Sequence, residues 1–179
     1  MPTRVLLFFF LLFVYLPAIS QKYSLEKSLV SFFSEAAIEN IKAQNAKTSS
    51  LLNATTGEVV FSIPIKDFKF DKSLMQDHFN EKYMESDKYP KAIFQGKFLN
   101  LKLDETGEQR VTALGKLTMH GVTREIEVTG TVQIKSNQIL ARADFSIRLK
   151  DFKIKIPQLL WNNIAEEVKI TTEFTYKPI

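Results

Sequence analysis

The stretch VTALGKLTMHGVTREIEVTGTVQIK, Val111 to Lys135, decides the fold. Val111, Ala113, Gly115, Leu117 and Met119 alternate with Thr112, Leu114, Lys116, Thr118 and His120. After HGVT, Ile126, Val128, Gly130, Val132 and Ile134 alternate with Glu125, Glu127, Thr129, Thr131, Gln133 and Lys135. Successive side chains of an extended chain point to opposite faces, so a period of two means a strand with one apolar and one wet face. Gly121 takes a positive φ without steric cost, and the short linker therefore closes the two runs into an antiparallel hairpin. The apolar faces of both arms must then cover one interior.

The pattern continues outward from this hairpin. Downstream, Ser136 and Asn137 turn the chain, and Ile139 to Lys150 alternates with Ala141, Ala143, Phe145, Ile147 and Leu149 on the apolar side. Pro157 to Ala165 is expected to form a short helical turn, and Val168, Ile170, Thr172, Phe174 and Tyr176 form a closing strand. Upstream, Ser28 to Ser34 reads as a first strand, and Asn40 to Ala46 with Ser49 to Asn53 as a less regular second. Glu58 to Lys66 is a third, whose Pro64 marks an edge or a bulge. Ala92 to Leu103 is a further strand, and Asp104 to Glu108, with Gly107, turns into the hairpin.

One clear helix interrupts the strands, over Ser73 to Glu85. Ser73 with Gln76 three residues on has the form of a capping box. Met75, Phe79 and Tyr83 recur every fourth residue as one apolar stripe, a lid or a piece of core. His78 lies off that stripe beside Asp77 and reads as a surface or hydrogen-bonded histidine. The total, about eight strands and one helix, is an all-β antiparallel fold that closes as a sandwich or a barrel. An eight-stranded barrel is just wide enough to be filled by side chains or to hold one small ligand. Ala113, Gly115, Gly130, Ala141 and Ala143 on the inward faces favour some empty space.

The first residues stand apart from this pattern. Arg4, the unbroken apolar run Val5 to Leu16, Pro17, and the small residues Ala18 and Ser20 have the form of a secretory signal peptide cleaved after Ser20. The run is shorter than the ~20 residues that span a bilayer. Residues 21–179 then form a single soluble domain, expected in the periplasm or secreted, with no membrane span after cleavage. With no cysteine in the chain, thiol chemistry, disulfides and a lipid anchor on an N-terminal cysteine are excluded. The formal charge of +4 comes from basic residues spread along the chain, without the patch or stripe that nucleic-acid binding requires. With only His78 and His120, no Gly-rich phosphate loop and no GxSxG, the usual nucleophile and metal constellations are missing.

Three segments carry a resemblance to a known family. MQDHFNEKYMESDKYPKAIF (Met75 to Phe94), GKLTMHGVTREIEV (Gly115 to Val128), and the region from Phe145 to Tyr176 with DFKIKIP and VKITTEF resemble the YceI-like family of exported bacterial proteins. SLVSFF, Ser28 to Phe33, is a fainter echo of its first strand, and Lys27 stands where the family pattern has a histidine. The resemblance implies an extended lipocalin-like barrel whose apolar lumen holds a long-chain amphiphile such as a polyisoprenoid, an isoprenoid quinone or a fatty-acid-like lipid.

On that footing the chain is expected to be a non-enzymatic lipid-binding protein without catalytic residues, metal or obligatory cofactor. The lumen wall is expected from Phe61, Ile63 and Ile65, from Phe94, and from Leu117 and Met119. Ile126, Val128 and Val132, then Phe145 and Ile147, and finally Phe174 complete it. His120 holds the hairpin turn in preference to contacting a head group. The alternatives are a secreted structural or partner-binding barrel with a filled core, and a metal-dependent enzyme using His78 and His120.

Overall fold

The structure is a computed structural model and describes residues 21–35, 40–105, 107–156 and 165–179. The leader, residues 1–20, and residues 157–164 of the expected helical turn lie outside these. Among the described residues no helix is long and apolar enough to cross a membrane.

Ten strand segments form one sheet: β1 (Lys22–Ser34), β2 (Ile41–Asn45), β3 (Ser49–Asn53), β4 (Glu58–Pro64), β5 (Lys69–Phe70), β6 (Lys91–Leu99), β7 (Gly107–Met119), β8 (Val122–Lys135), β9 (Gln138–Arg148) and β10 (Glu167–Pro178). The order around the sheet is β1, β3, β4, β6, β7, β8, β9, β10, and β10 pairs with β1 again, so the molecule is a closed, antiparallel eight-stranded barrel. The longest ladder is the hairpin β7–β8, in register from Gly107 opposite Ile134 to Met119 opposite Val122. Its loop is only His120 and Gly121, at φ 51° and 71°. Positive φ at both central residues is the type I′ geometry that matches strand twist. Val122 and Thr123, expected in the turn, therefore belong to the strand.

Two strands of the barrel are interrupted, which accounts for ten segments. β2 and β3 keep one register against β1, with Val30 opposite Asn45 and Ser24 opposite Leu51, so they are a single strand broken between Asn45 and Ser49. β4 ends at Pro64, where the ladder to β6 stops, and a 3₁₀ turn (Ile65–Asp67) leads into β5, which pairs with β2 instead. Fully buried Asn45 joins the two breaks. Its amide donates to the Pro64 carbonyl at 2.7 Å, and its side-chain oxygen accepts from the Lys47 N–H at 2.7 Å.

The helix is shorter than its pattern suggests. α1 spans Ser73–His78 and continues as a π-helical turn, Phe79–Tyr83. Lys72 is the N-cap and no side chain caps the end, so the Ser73–Gln76 capping box does not form; Ser73 is already inside the first turn. Phe79 anchors the segment to the barrel, its ring 5.6 Å from Phe32, 5.6 Å from Phe68 and 5.0 Å from Phe70.

The two ends of the barrel differ. At one, Tyr176, Leu52, Ile139, Val59 and Val132 are fully buried, and the Tyr176 hydroxyl bonds Ser50 Oγ at 2.7 Å. This is the floor. The strand breaks, α1 and the His120 turn lie at the other end, the mouth.

Candidate functional site

The interior above the floor is not filled. A cavity of about 290 Å³ lies beneath α1, and a second of about 100 Å³ lies deeper. Ile63, Leu117, Phe145 and Thr172 border both, so the two volumes are chambers of one lumen separated by a ring of four side chains. Their smaller wall residues explain the deeper chamber. Ala113, Gly130, Ala141 and Ala143 line it. At Gly115 and Gly96, which face each other across β6 and β7, an added Cβ would meet the Phe94 ring at 2.8 and 2.6 Å. The glycine pair thus lets Phe94 lie flat against the wall.

Each of the twelve apolar residues expected in the lumen wall borders this space. Ile65, Met119 and Ile147 line the larger chamber; Phe61, Phe94, Ile126, Val128, Val132 and Phe174 line the smaller; Ile63, Leu117 and Phe145 belong to the ring between them. The stripe Met75, Phe79 and Tyr83 faces the larger chamber. Sequence reasoning missed Phe68 and Phe70, which sit by the strand breaks where alternation is lost, and Phe32, which lies inside β1; the three form the mouth wall with Phe79.

The wall between β8 and β9 is laddered for half its length. Pairing runs from Lys135 opposite Gln138 to Gly130 opposite Ala143 and stops there. A Cβ on Gly130 would meet the Arg142 carbonyl oxygen at 2.3 Å, so only glycine permits this close approach before the strands part. Toward the mouth, β8 bonds β7 and β9 bonds β10, and Ile126, Val128, Phe145 and Ile147 are half-buried along the seam. The 3₁₀ turn Leu149–Phe152 closes the top of the seam. Arg124 Nε donates to the Asp151 carbonyl at 3.0 Å, and His120 Nδ1 lies 3.1 Å from the Phe152 carbonyl oxygen.

The two histidines differ in surroundings. His120 borders neither chamber, and its side chain is 10% exposed. Nε2 sits 2.9 Å from a Glu85 carboxylate oxygen, and the Tyr89 ring packs edge-on at 4.7 Å. Both hydrogen-bond partners are acceptors, so both contacts are made at once when the ring carries two protons. His120 therefore ties the hairpin turn to the helix end and to the 3₁₀ turn. His78 is the correction. It lines the larger chamber instead of lying on the surface, because Met75, His78 and Phe79 at i, i+3 and i+4 share a helix face.

The chamber is otherwise nearly all apolar. Its polar groups are Ser34, which accepts the Ala165 N–H at 2.9 Å, and His78, Tyr83 and Thr172. Burial raises the Tyr83 phenol above its ordinary pKa and keeps it an O–H. Among the described residues no group of three or more His, Cys, Asp or Glu side chains is placed to hold a metal ion.

The YceI-like domain profile matches residues 23–176, nearly the whole described barrel. The chain belongs to the YceI-like family. No curated protein matches it. Among solved structures, a polyisoprenoid-binding domain from Saccharophagus degradans, implicated in plant cell wall breakdown, superposes with a TM-score of 0.76 at 19% identity, over 88% of this chain and 98% of its own. BcnA of Burkholderia cenocepacia gives 0.70 at 18% identity, over 83% and 95%. The YceI protein of Campylobacter jejuni gives 0.63 at 17%, over 79% and 86%. At these identities the YceI-like proteins share the fold.

Proposed function

We propose that this YceI-like protein is an exported, non-enzymatic carrier that holds a long-chain amphiphilic lipid, of isoprenoid or fatty-acyl type, in its barrel. The observation that carries this is the two-chambered apolar lumen, about 290 and 100 Å³, with four polar residues on the wall of the larger chamber. An apolar cavity of ~150 Å³ already binds benzene. The larger chamber alone takes roughly twice that. Each buried methylene contributes ~0.8 kcal/mol, so a tail of about ten carbons contributes roughly 8 kcal/mol, within the range that association itself costs. Useful affinity thus requires a longer chain, reaching past the Ile63, Leu117, Phe145 and Thr172 ring. The name of the Saccharophagus neighbour, a polyisoprenoid-binding domain, supports the same ligand class. The absence of a nucleophile or metal constellation in the sequence supports binding over catalysis. The leader, residues 1 to 20, supports export to the periplasm or beyond.

Organic extraction of natively purified protein followed by lipid mass spectrometry tests the proposal. A stoichiometric long-chain amphiphile is expected. A protein of unliganded mass by native mass spectrometry, from its own source, overturns it in favour of a structural barrel.

A further inference from the structure

The barrel wall has a second opening, between β8 and β9. The last rung of their ladder pairs Gly130 with Ala143; above it residues 122–129 of β8 pair only with β7, and residues 144–148 of β9 pair only with β10. About six residues on the β8 side, at ~3.4 Å each, make a slot roughly 20 Å long. Solvent exposure follows the interruption. Leu117 and Phe94, on strands laddered along both edges, border the lumen and are buried, at 6% and 7% exposure. Ile126 and Val128 on one bank of the slot, and Phe145 and Ile147 on the other, face the same lumen and are half-buried. An empty lumen alone would expose all of them alike, so the difference marks an opening through the wall.

Its position gives the opening a use. Ile126 and Val128 border the smaller chamber, Ile147 borders the larger, and Phe145 belongs to the ring between them. The slot therefore runs past the ring and reaches both chambers. A chain entering at the mouth has to be threaded end-on past that ring, whereas a chain entering between the strands is laid in sideways.

One residue holds the top of the slot. Asp151, in the 3₁₀ turn, accepts from Arg124 of β8 at its backbone carbonyl, at 3.0 Å, and from Arg148 of β9 at its carboxylate, at 2.9 Å. Both arginines are exposed, and exposed charge contacts are weak, so this latch yields to thermal motion without unfolding the barrel. Glu125, Glu127 and Asp144 are exposed along the two banks. Charge on an open strand edge discourages pairing with a strand of another molecule, which leaves the slot free.

We propose that the slot between β8 and β9 is a lateral port, latched by Asp151, through which an apolar chain passes sideways into and out of the lumen. The proposal rests on the lipid-binding reading above and adds a route to it, whatever the head group.

The absence of cysteine from the chain allows the port to be closed at will. Glu127→Cys with Ser146→Cys puts one thiol on each bank, off the lumen wall. A disulfide, or a short bismaleimide where the Cα atoms stand more than ~7 Å apart, then bridges the slot. Uptake of cis-parinaric acid, a long-chain probe that fluoresces in apolar surroundings, is followed by stopped flow, and its affinity by equilibrium titration. The bridged protein should load and release roughly tenfold or more slowly than the unbridged double variant, at the same equilibrium affinity. Arg124→Gln, which frees the latch, should load about threefold faster, the scale of one exposed charge contact. Equal rates with the slot bridged and free overturn the port and assign entry to the mouth. Amide hydrogen exchange tests the slot without a ligand. Alternate amides of residues 123–129 face it and should exchange far faster than those of residues 131–134, which are laddered on both sides; uniform protection along β8 also overturns the port. If the native protein binds neither cis-parinaric acid nor farnesol, the lipid reading itself fails and the port with it.

Discussion

The floor and the mouth of this barrel are made from the same strands yet are built on opposite rules. At the floor the fully buried side chains are large and apolar, Leu52, Val59, Val132 and Ile139, with Tyr176 satisfied by Ser50. At the mouth fully buried polar side chains, Asn45, Ser34 and Ser86, stand beside buried Ala43 and Ile65. Asn45 and Ser34 bond backbone groups that a broken strand or a loop leaves open. Close packing at one end holds the fold, while hydrogen bonds at the other hold a gap open. The difference teaches that binding space in this molecule is obtained by interrupting strands and repairing the exposed backbone, and that stability and binding reside at different ends.

The sharpest way to break that contrast is to remove the same atoms at each end of β9. Ile139→Ala empties a tightly packed floor position and should cost ~3 kcal/mol, in the usual range for a large-to-small core substitution. Ile147→Ala removes a side chain that already borders the larger chamber and is half-buried, so the loss should be near 1 kcal/mol. Urea unfolding with an unchanged slope measures both. Equal losses would mean that the mouth is packed as densely as the floor.

His120→Ala addresses the mouth alone. It deletes the contacts to Phe152 and Glu85 and leaves alanine at φ 51°, a region that histidine and asparagine tolerate better. A loss of about 2 kcal/mol is expected, from two hydrogen bonds and the backbone strain. Lipid occupancy by mass spectrometry should hold, because His120 borders neither chamber. A stable variant that copurifies without lipid would give His120 a head-group role.

What was legible in the sequence follows the same division. Alternation located the strands and faced Leu117, Ile126, Phe145 and Phe174 inward, because a period of two survives any twist or tilt of the sheet. The YceI-like signature around HGVT identified the family before any coordinate did. The mouth was not legible, because its structure depends on departures from period. The break between Asn45 and Ser49 and the 3₁₀ turn after Pro64 erase the alternation that would have revealed Phe68 and Phe70. His78 was assigned to the wrong face because counting every fourth residue from Met75 skips it, although a residue three positions on shares that face. The division into two chambers depends on where Leu117 and Phe145 lie in three dimensions, which no spacing rule encodes.

The smallest effect tests the floor by pH. Burial holds the Tyr176 phenol above its ordinary pKa of 10.0, and the hydrogen bond from Ser50 offsets only part of this. The native state therefore keeps a proton that the unfolded chain releases above pH 10. Since the folded value is the raised one, the contribution is fully present below pH 10 and is lost as pH rises past it, by up to ~1.4 kcal/mol per pH unit. Tyr176→Phe removes that dependence but leaves Ser50 Oγ buried without its partner, which costs about 1 kcal/mol at neutral pH. The variant should thus be less stable than the native protein at pH 7 and equal to it near pH 11, so their urea midpoints converge. Tyr83→Phe is a control at the mouth, where the raised phenol is half-buried, and it should keep most of the alkaline slope. If Tyr83→Phe flattens the slope and Tyr176→Phe does not, the sealed end of the barrel is the mouth, and the floor is open to water.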